Sequence, residues 1–253
     1  MYKNAIVRKP CPEMINGLTA ALLGIPDYQL ALEQHSNYIE ALQKCGLDVR
    51  ILDPDSRYPD STFVEDVALC TTSWSIITNP GAPSRNGERI EMKEILQSVM
   101  DTVEEIHVPG TLDAGDVMMC GTHFYIGISE RTNPDGADQL IRILMNHKCT
   151  GEKVPLNEML HLKSGVSYLE ENKLLVSEEF KDHVAFRGFR KIEVDSDEAY
   201  AVNSLWINDT VLVPDGFPKT RGMIEKAGYN ILSIDVSEFQ KLDGGLSCLS
   251  LRF

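Results

Sequence analysis

LDGGLSCLSLRF, Leu242–Phe253, is the stretch on which the fold turns. Two glycines and two serines surround Cys248 and make a permissive turn. A strand-like apolar run follows, with no partner strand close before it. Working outward, the remainder of a unit lies at the other end of the chain. NAIVRK (Asn4–Lys9) reads as a strand, and LDVRIL (Leu47–Leu52) as another. Between them YQLALEQHSNYIEALQKCG (Tyr28–Gly46) has the spacing of a helix. Tyr28, Leu32, His35, Ile39 and Leu42 share one face, and Gly46 is a stop signal.

The same pattern of strand, strand, helix, strand recurs in between. VEDVALC (64–70), WSIIT (74–78), a helix with Met92, Ile95, Leu96, Val99 and Met100 on one face, and VEEIHVP (103–109) form one unit. GDVMMC (115–120), HFYIGIS (123–129), a helix after Pro134 carrying Ala137, Leu140, Ile141 and Leu144, and EKVPL (152–156) form the next. SGVSYLE, KLLVS, a poorly defined helix near Phe180–Phe186, and KIEVD form a third. NSLWIND, TVLVP, a helix after Pro218 ending near Gly228, and NILSID form a fourth. The period of roughly 40 to 50 residues is that of a repeat architecture. Five units close only if the C-terminal strand pairs with the N-terminal one. The expectation is an α/β fold with pseudo-fivefold symmetry, a closed ring in one domain spanning residues 1–253. The alternative is an open α/β fold with coincidental spacing. Closure is favoured because it removes sheet edges that invite aggregation.

The chain has 253 residues, 43% hydrophobic and 25% charged, as in a globular protein. Its apolar stretches are too short to span a membrane, and MYKNAIVRKP (Met1–Pro10) lacks the apolar core of a secretory signal. A cytoplasmic location is expected. The net charge of −14 argues against nucleic-acid binding. None of the six cysteines forms a CxxC pair or has a histidine at metal-finger spacing, so neither a zinc site nor a disulfide framework is expected. Cys70 and Cys120 read as small hydrophobes.

The strand starts carry the chemistry. Asp60 precedes Glu65 and Asp66 at the first; Asp113 and Asp116 stand at the second; His161 precedes the third; Asn203 stands at the fourth; and Asp243, Gly244, Gly245 and Cys248 stand at the fifth. Singly, each has a plain structural role: an acid in a turn, a satisfied buried histidine, a glycine turn, a packed thiol. Aimed at one axis, they make a cleft. Clustered carboxylates raise a thiol's pKa, which suits a cysteine protease poorly. They suit a cationic substrate. Carboxylates grip a guanidinium by paired, charge-assisted hydrogen bonds, and its charge then favours the attacking thiolate.

FVED (63–66), LDAGD (112–116), HFYIG (123–127) with RTN (131–133), HLKSG (161–165) with SYLE (167–170), and the closing stretch, in this order over the whole chain, resemble the dimethylarginine dimethylaminohydrolase family of guanidino-modifying enzymes. The resemblance implies a five-bladed α/β propeller, in agreement with the ring. It implies hydrolysis of N-omega-methylated arginine to citrulline and a methylamine, with no cofactor and no metal. It assigns Cys248 as nucleophile, His161 as general acid and later base, and Asp113 as the carboxylate that orients the histidine. Many bacterial members carry Glu at this last place, and the shorter Asp stands here. Glu65 and Asp66 would bind the guanidinium. Asp60 would lie at or near the substrate's amino-acid end, and Arg85 and Arg131 would grip its carboxylate. Leu18, in a lid flanked by Gly17 and Gly24, and Leu242 complete the substrate-binding set. Without the resemblance, Arg85 and Arg131 read as surface ion pairs. The expected partner is thus a small cationic molecule; a homodimer enters only by analogy with relatives of this kind. The rival readings are a hydrolase of arginine or citrulline and a non-catalytic binder of arginine derivatives. The first would release ammonia in place of a methylamine, and the second would lack the nucleophile or the acid.

Overall fold

A computed structural model describes residues 1–157 and 159–253. Its strands form five three-stranded sheets. In four sheets the middle strand pairs antiparallel with the strand before it and parallel with the strand after it, and in the fifth the C-terminal strand takes the place of the strand before. The first connection is a short turn. The second is a crossover, because parallel strands cannot be joined by a hairpin. Four of the five crossovers carry a helix: Glu88–Gln97, Pro134–Asn146, Pro218–Lys226 and Tyr28–Lys44.

Tertiary contacts group the chain into two compact units, Met1–Val64 with Asn203–Phe253, and Glu65–Val202. The second holds three sheets. Ala68–Cys70, Ser75–Ile77 and Val103–Glu105 form one; Val117–Cys120, His123–Ile128 and Thr150–Pro155 another; Val166–Tyr168, Lys173–Val176 and Arg190–Glu193 the third. The middle strands are near-continuous apolar runs because both faces are covered. The third strands are polar and half-exposed, as in Arg190–Glu193, which suits an outer edge. Two apolar clusters fill this unit. One gathers Trp74, Ile76, Leu112, Phe124, Leu140 and Leu144; the other gathers Met118, Tyr125, Leu174, Phe180 and Phe186.

The first unit holds two sheets. Leu205–Ile207, Thr210–Pro214 and Asn230–Ile234 form one. The other is the expected clasp. Leu251–Arg252 pairs antiparallel with Asn4–Arg8, which pairs parallel with Asp48–Leu52. The amides of Lys3 and Asn4 donate to the Phe253 carbonyl at 2.9 and 2.8 Å, and the Phe253 amide donates to Asn4 at 3.0 Å.

Several expectations shift in detail. VEDV, expected as strand, is a 3-10 turn at Val64–Val67, and the strand starts at Ala68. Likewise Ala114–Asp116 and Leu246–Leu249 are 3-10 turns before their strands, and Leu162–Gly165 is a single helical turn. The helix near Phe180–Phe186 is two 3-10 turns, Glu178–Phe180 and Val184–Phe186, whose phenylalanines are buried. Val99 and Met100 lie beyond the helix that ends at Gln97. The long helix buries Ala31, Gln34, His35, Tyr38, Ala41 and Leu42, with Leu32 and Ile39 half-buried. Its buried face is therefore rotated toward Tyr38. That hydroxyl bonds the Leu246 carbonyl at 2.8 Å and the Ser250 hydroxyl at 2.7 Å, which fixes the helix against the Cys248 turn.

Deleting Leu251–Phe253 removes at least three backbone bonds at the clasp, each contributing roughly 1 kcal/mol. The expected loss is about 3 kcal/mol, a fall in Tm of roughly 10 °C by thermal denaturation. An unchanged Tm would show that these residues are a dispensable tail.

Candidate active site

The candidate catalytic residues, with Glu65 and Asp66, sit on or beside the short turns that enter sheets. Glu65 and Asp66 lie on the turn Val64–Val67. Asp113 precedes the turn Ala114–Asp116, and His161, in extended conformation, precedes Leu162–Gly165. In the unit Glu65–Val202 these three turns converge. Carboxylate oxygens of Asp66 and Asp113 and a ring nitrogen of His161 all lie within 4.8 Å of one another. Glycine makes the approach feasible. A Cβ on Gly115 would stand 2.8 Å from Oδ1 of Asp66 and 3.0 Å from Cγ of His161.

Asp113 is held at both oxygens. Oδ1 accepts the Gly81 amide at 2.8 Å, and Oδ2 lies 3.2 Å from Nε2 of His161. The short side chain therefore reaches the ring. Burial alone would push His161 toward the neutral form. The charge of Asp66, the hydrogen bond to Asp113, and the charges of Asp116 and Asp113 outweigh it and raise the pKa to about 9. Burial pushes Asp113 upward, but the hydrogen bond and charge of His161, the Arg85 charge and the Gly81 amide hold it below the usual range. The trio has the spacing of metal ligands, but an imidazolium sharing its proton with Asp113 carries a cation already. One acceptor remains: Oδ1 of Asp66 is buried and has no hydrogen-bond partner.

The acids Glu65 and Asp66 are balanced by their own cations. Lys163 Nζ lies 2.7 Å from Glu65 Oε1. Arg85 donates to Asp66 Oδ2 at 2.5 Å and to both oxygens of Glu88 at 2.9 and 2.7 Å. Arg85 is 4% exposed, so it is not a surface ion pair; its side chain braces Asp66 from within. Arg131 is half-buried on the turn 129–132, where its carbonyl crowds Gly81. Lys163 was not singled out in the sequence; its only signal is a lysine directly after Leu162 in HLKSG.

The unit of Met1–Val64 and Asn203–Phe253 carries the other residues. Cys248 lies on the turn Leu246–Leu249, where the Gly245 amide donates to its sulfur at 3.4 Å. The turn is clamped by Asn203, whose Oδ1 accepts the Ser247 amide at 3.0 Å and whose Nδ2 donates to Ser247 Oγ at 3.1 Å. Gly244 and Gly245 are required by close approach. A Cβ would lie 2.1 Å from the Phe63 ring at the first and 2.5 Å from Asn203 Oδ1 at the second. No disulfide joins any of the six cysteines.

Leu18, Asp60 and Leu242 are neighbours in this unit. The Leu18 amide donates to Asp60 Oδ1 at 2.9 Å, and Gly17 is enclosed by Asp60 and Leu242. The segment continues outward through Thr19, bonded to the Lys241 carbonyl at 2.8 Å, and Ala20, bonded to Asp243 at 2.5 Å. Leu22 at its tip is fully exposed. Gly24 has φ +90, which favours glycine. Gly17 has ordinary extended backbone and is needed for space instead.

Buried acids around a charged histidine, and a cysteine on a glycine-rich turn, carried on five repeated α/β units, are the marks of a guanidino-modifying hydrolase. A family model for N,N dimethylarginine dimethylhydrolase, eukaryotic, matches residues 27–178. The N(G),N(G)-dimethylarginine dimethylaminohydrolase of Pseudomonas aeruginosa is 50% identical over the full length of both chains. The structure of that organism's enzyme, as a cysteine-to-serine variant with citrulline, superimposes with a TM-score of 0.99 over all of both chains at 50% identity. A histidine-to-glycine dimethylarginine dimethylaminohydrolase, as its adduct with S-methyl-L-thiocitrulline, gives 0.98 over all of both chains, also at 50% identity. The chain belongs to the dimethylarginine dimethylaminohydrolase family, and its fold class is the five-bladed α/β propeller that the sequence led us to expect.

The raised pKa of His161 ties stability to pH. Its folded value exceeds the ordinary 6.5, so the pair's contribution is complete below about pH 6.5 and is lost as pH rises through about 9. Unfolding free energies of wild type and His161→Gln should therefore converge between these limits. A difference independent of pH would contradict a charged His161.

Proposed function

We propose that the chain hydrolyses asymmetric dimethylarginine and monomethylarginine to citrulline and dimethylamine or methylamine, through a covalent intermediate on Cys248. The observation that carries this reading is the buried, unpartnered Oδ1 of Asp66 beside a histidine held charged at neutral pH. A buried acceptor without a donor is costly, and an N–H of a guanidinium satisfies it. Glu65 and Asp66, with Lys163 behind them, orient that cation, and Arg131 takes the substrate's carboxylate. Arg85, expected at that carboxylate as well, is committed to Asp66 and Glu88 and braces Asp66 instead. Leu18, Asp60 and Leu242 line the amino-acid end.

The Cys248 thiolate attacks the central guanidino carbon and forms a C–S bond. The resulting tetrahedral species is neutral, since the substrate cation and the thiolate cancel. His161 gives its proton to the methylated nitrogen, the C–N bond breaks and dimethylamine leaves. A thiouronium cation remains on Cys248. Water then adds to the same carbon, and neutral His161 takes its proton. Collapse breaks the C–S bond, returns the thiolate and leaves protonated citrulline, which sheds its proton to the amine released. Asp113 keeps the ring oriented and favours its charged form. A thiol nucleophile works in a reducing compartment, and we place the reaction in the cytoplasm.

Incubation with asymmetric dimethylarginine should yield citrulline and dimethylamine in equal amounts. Cys248→Ser should lower turnover more than about a thousandfold while citrulline still binds, measured by calorimetry. Release of ammonia from arginine alone would favour the arginine hydrolase. Binding without turnover in the wild type would favour a binding protein.

A further inference from the structure

The carboxylate of Asp116 has no part in the chemistry above, yet it is completely buried. Burial pushes its pKa up, against the charge of His161 and hydrogen bonds from Ser129, Thr132 and Leu162. A carboxylate buried at that cost needs a structural reason. Its two oxygens point to two different parts of the site. Oδ1 accepts the amide of Leu162 at 2.9 Å, the residue directly after His161. Oδ2 accepts the hydroxyl of Ser129 at 2.6 Å. Ser129 Oγ in turn accepts the amides of Arg131 and Thr132 at 3.0 and 3.1 Å. The same turn closes through the Ser129 amide on the Thr132 carbonyl at 3.1 Å. Space around Asp116 is closed as well: a Cβ on Gly127 would lie 2.8 Å from Oδ1 and 3.0 Å from the Leu162 Cβ.

We infer that Asp116 is a positioning residue that fixes the distance between the acid–base group, His161, and the clamp for the substrate's carboxylate, Arg131. One rigid carboxylate spans both. The reacting carbon and the carboxylate of an arginine derivative are separated by a chain of fixed bond count. A site that holds its two ends therefore gains from a fixed spacing between the groups that meet them. Asp116 also adds negative charge near His161, alongside Asp66 and Asp113. On the helical turn of His161 itself the nearby cation is Lys163, which is paired with Glu65. This inference rests on the proposed reaction for the identity of Arg131's ligand.

Two variants separate the arms of the span. Ser129→Ala cuts the link to Arg131 and leaves the Leu162 bond in place. Asp116→Asn removes the charge and disturbs both links. For Ser129→Ala we expect KM for asymmetric dimethylarginine to rise about tenfold, with the His161 titration, followed by NMR of the labelled imidazole, unchanged. For Asp116→Asn we expect kcat/KM to fall up to about a hundredfold and the His161 titration to move to lower pH. An unaltered KM in Ser129→Ala overturns the inference. So does an unaltered His161 titration in folded Asp116→Asn. The KM of Ser129→Ala decides the matter even if Asp116→Asn does not fold. A wild type that releases no methylamine counts against the proposed reaction, whereas the titration reads Asp116 in the absence of any substrate.

Discussion

A buried imidazolium requires buried anions, and buried anions require cations of their own. That constraint shapes the unit Glu65–Val202. Asp113 holds His161, and Asp66 and Asp116 surround it with negative charge. Arg85 balances Asp66 and Glu88, and Lys163 balances Glu65. Such networks add little net stability, because desolvation offsets attraction. What they provide is position. Asp113 and Asp116 are each fixed by two donors, whereas one oxygen of Asp66 lacks one. An acceptor left open in such a network, Oδ1 of Asp66, suits the N–H groups of the cation in the proposed reaction.

The fold supplies the places at which these charges stand. Every sheet is entered through a short helical turn or the residue beside it, and the candidate catalytic residues Asp113, His161 and Cys248, with Glu65 and Asp66, stand at those positions. The middle strands carry apolar side chains and form the core. Repetition thus gives several anchoring points at equivalent positions, and chemistry is varied at the turns without disturbing the sheets. The cysteine turn follows the same rule with additional bracing. Tyr38 and Asn203 hold its backbone, and two glycines let Phe63 and Asn203 pack against it. Backbone amides kept in place near the sulfur, such as that of Gly245, favour a thiolate by donating to it.

Much of this was legible in the sequence. The five units showed in the alternation of apolar strands and amphipathic helices. The clasp followed from a C-terminal strand and an N-terminal strand that each lacked a neighbour. The acids, His161 and Cys248 could be gathered because they recur at one point of the repeat. The turns were less legible. Val64 and Val67 favour strand by composition, but local i to i+3 bonding wins there. The helix face was misjudged because Tyr38 is polar at its tip, and its two partners lie over 200 positions away in sequence. Lys163 and the double role of Asp116 depend on contacts between turns and leave no periodic trace. The resemblance assigns Arg85 to the substrate's carboxylate, and without it Arg85 reads as a surface ion pair, because nothing local reveals that Asp66 lies against it. The need for glycine at 244 and 245 is likewise steric and tertiary.

The central claim is that Cys248 becomes covalently bonded to the guanidino carbon during turnover. Rapid acid quenching of the wild type with asymmetric dimethylarginine, followed by peptide mass spectrometry, tests it directly. A transient mass increase equal to substrate minus dimethylamine is expected on the peptide bearing Cys248, rising before citrulline accumulates. Citrulline formed while that peptide stays unmodified at every quench time, or an adduct on a different residue, would contradict it.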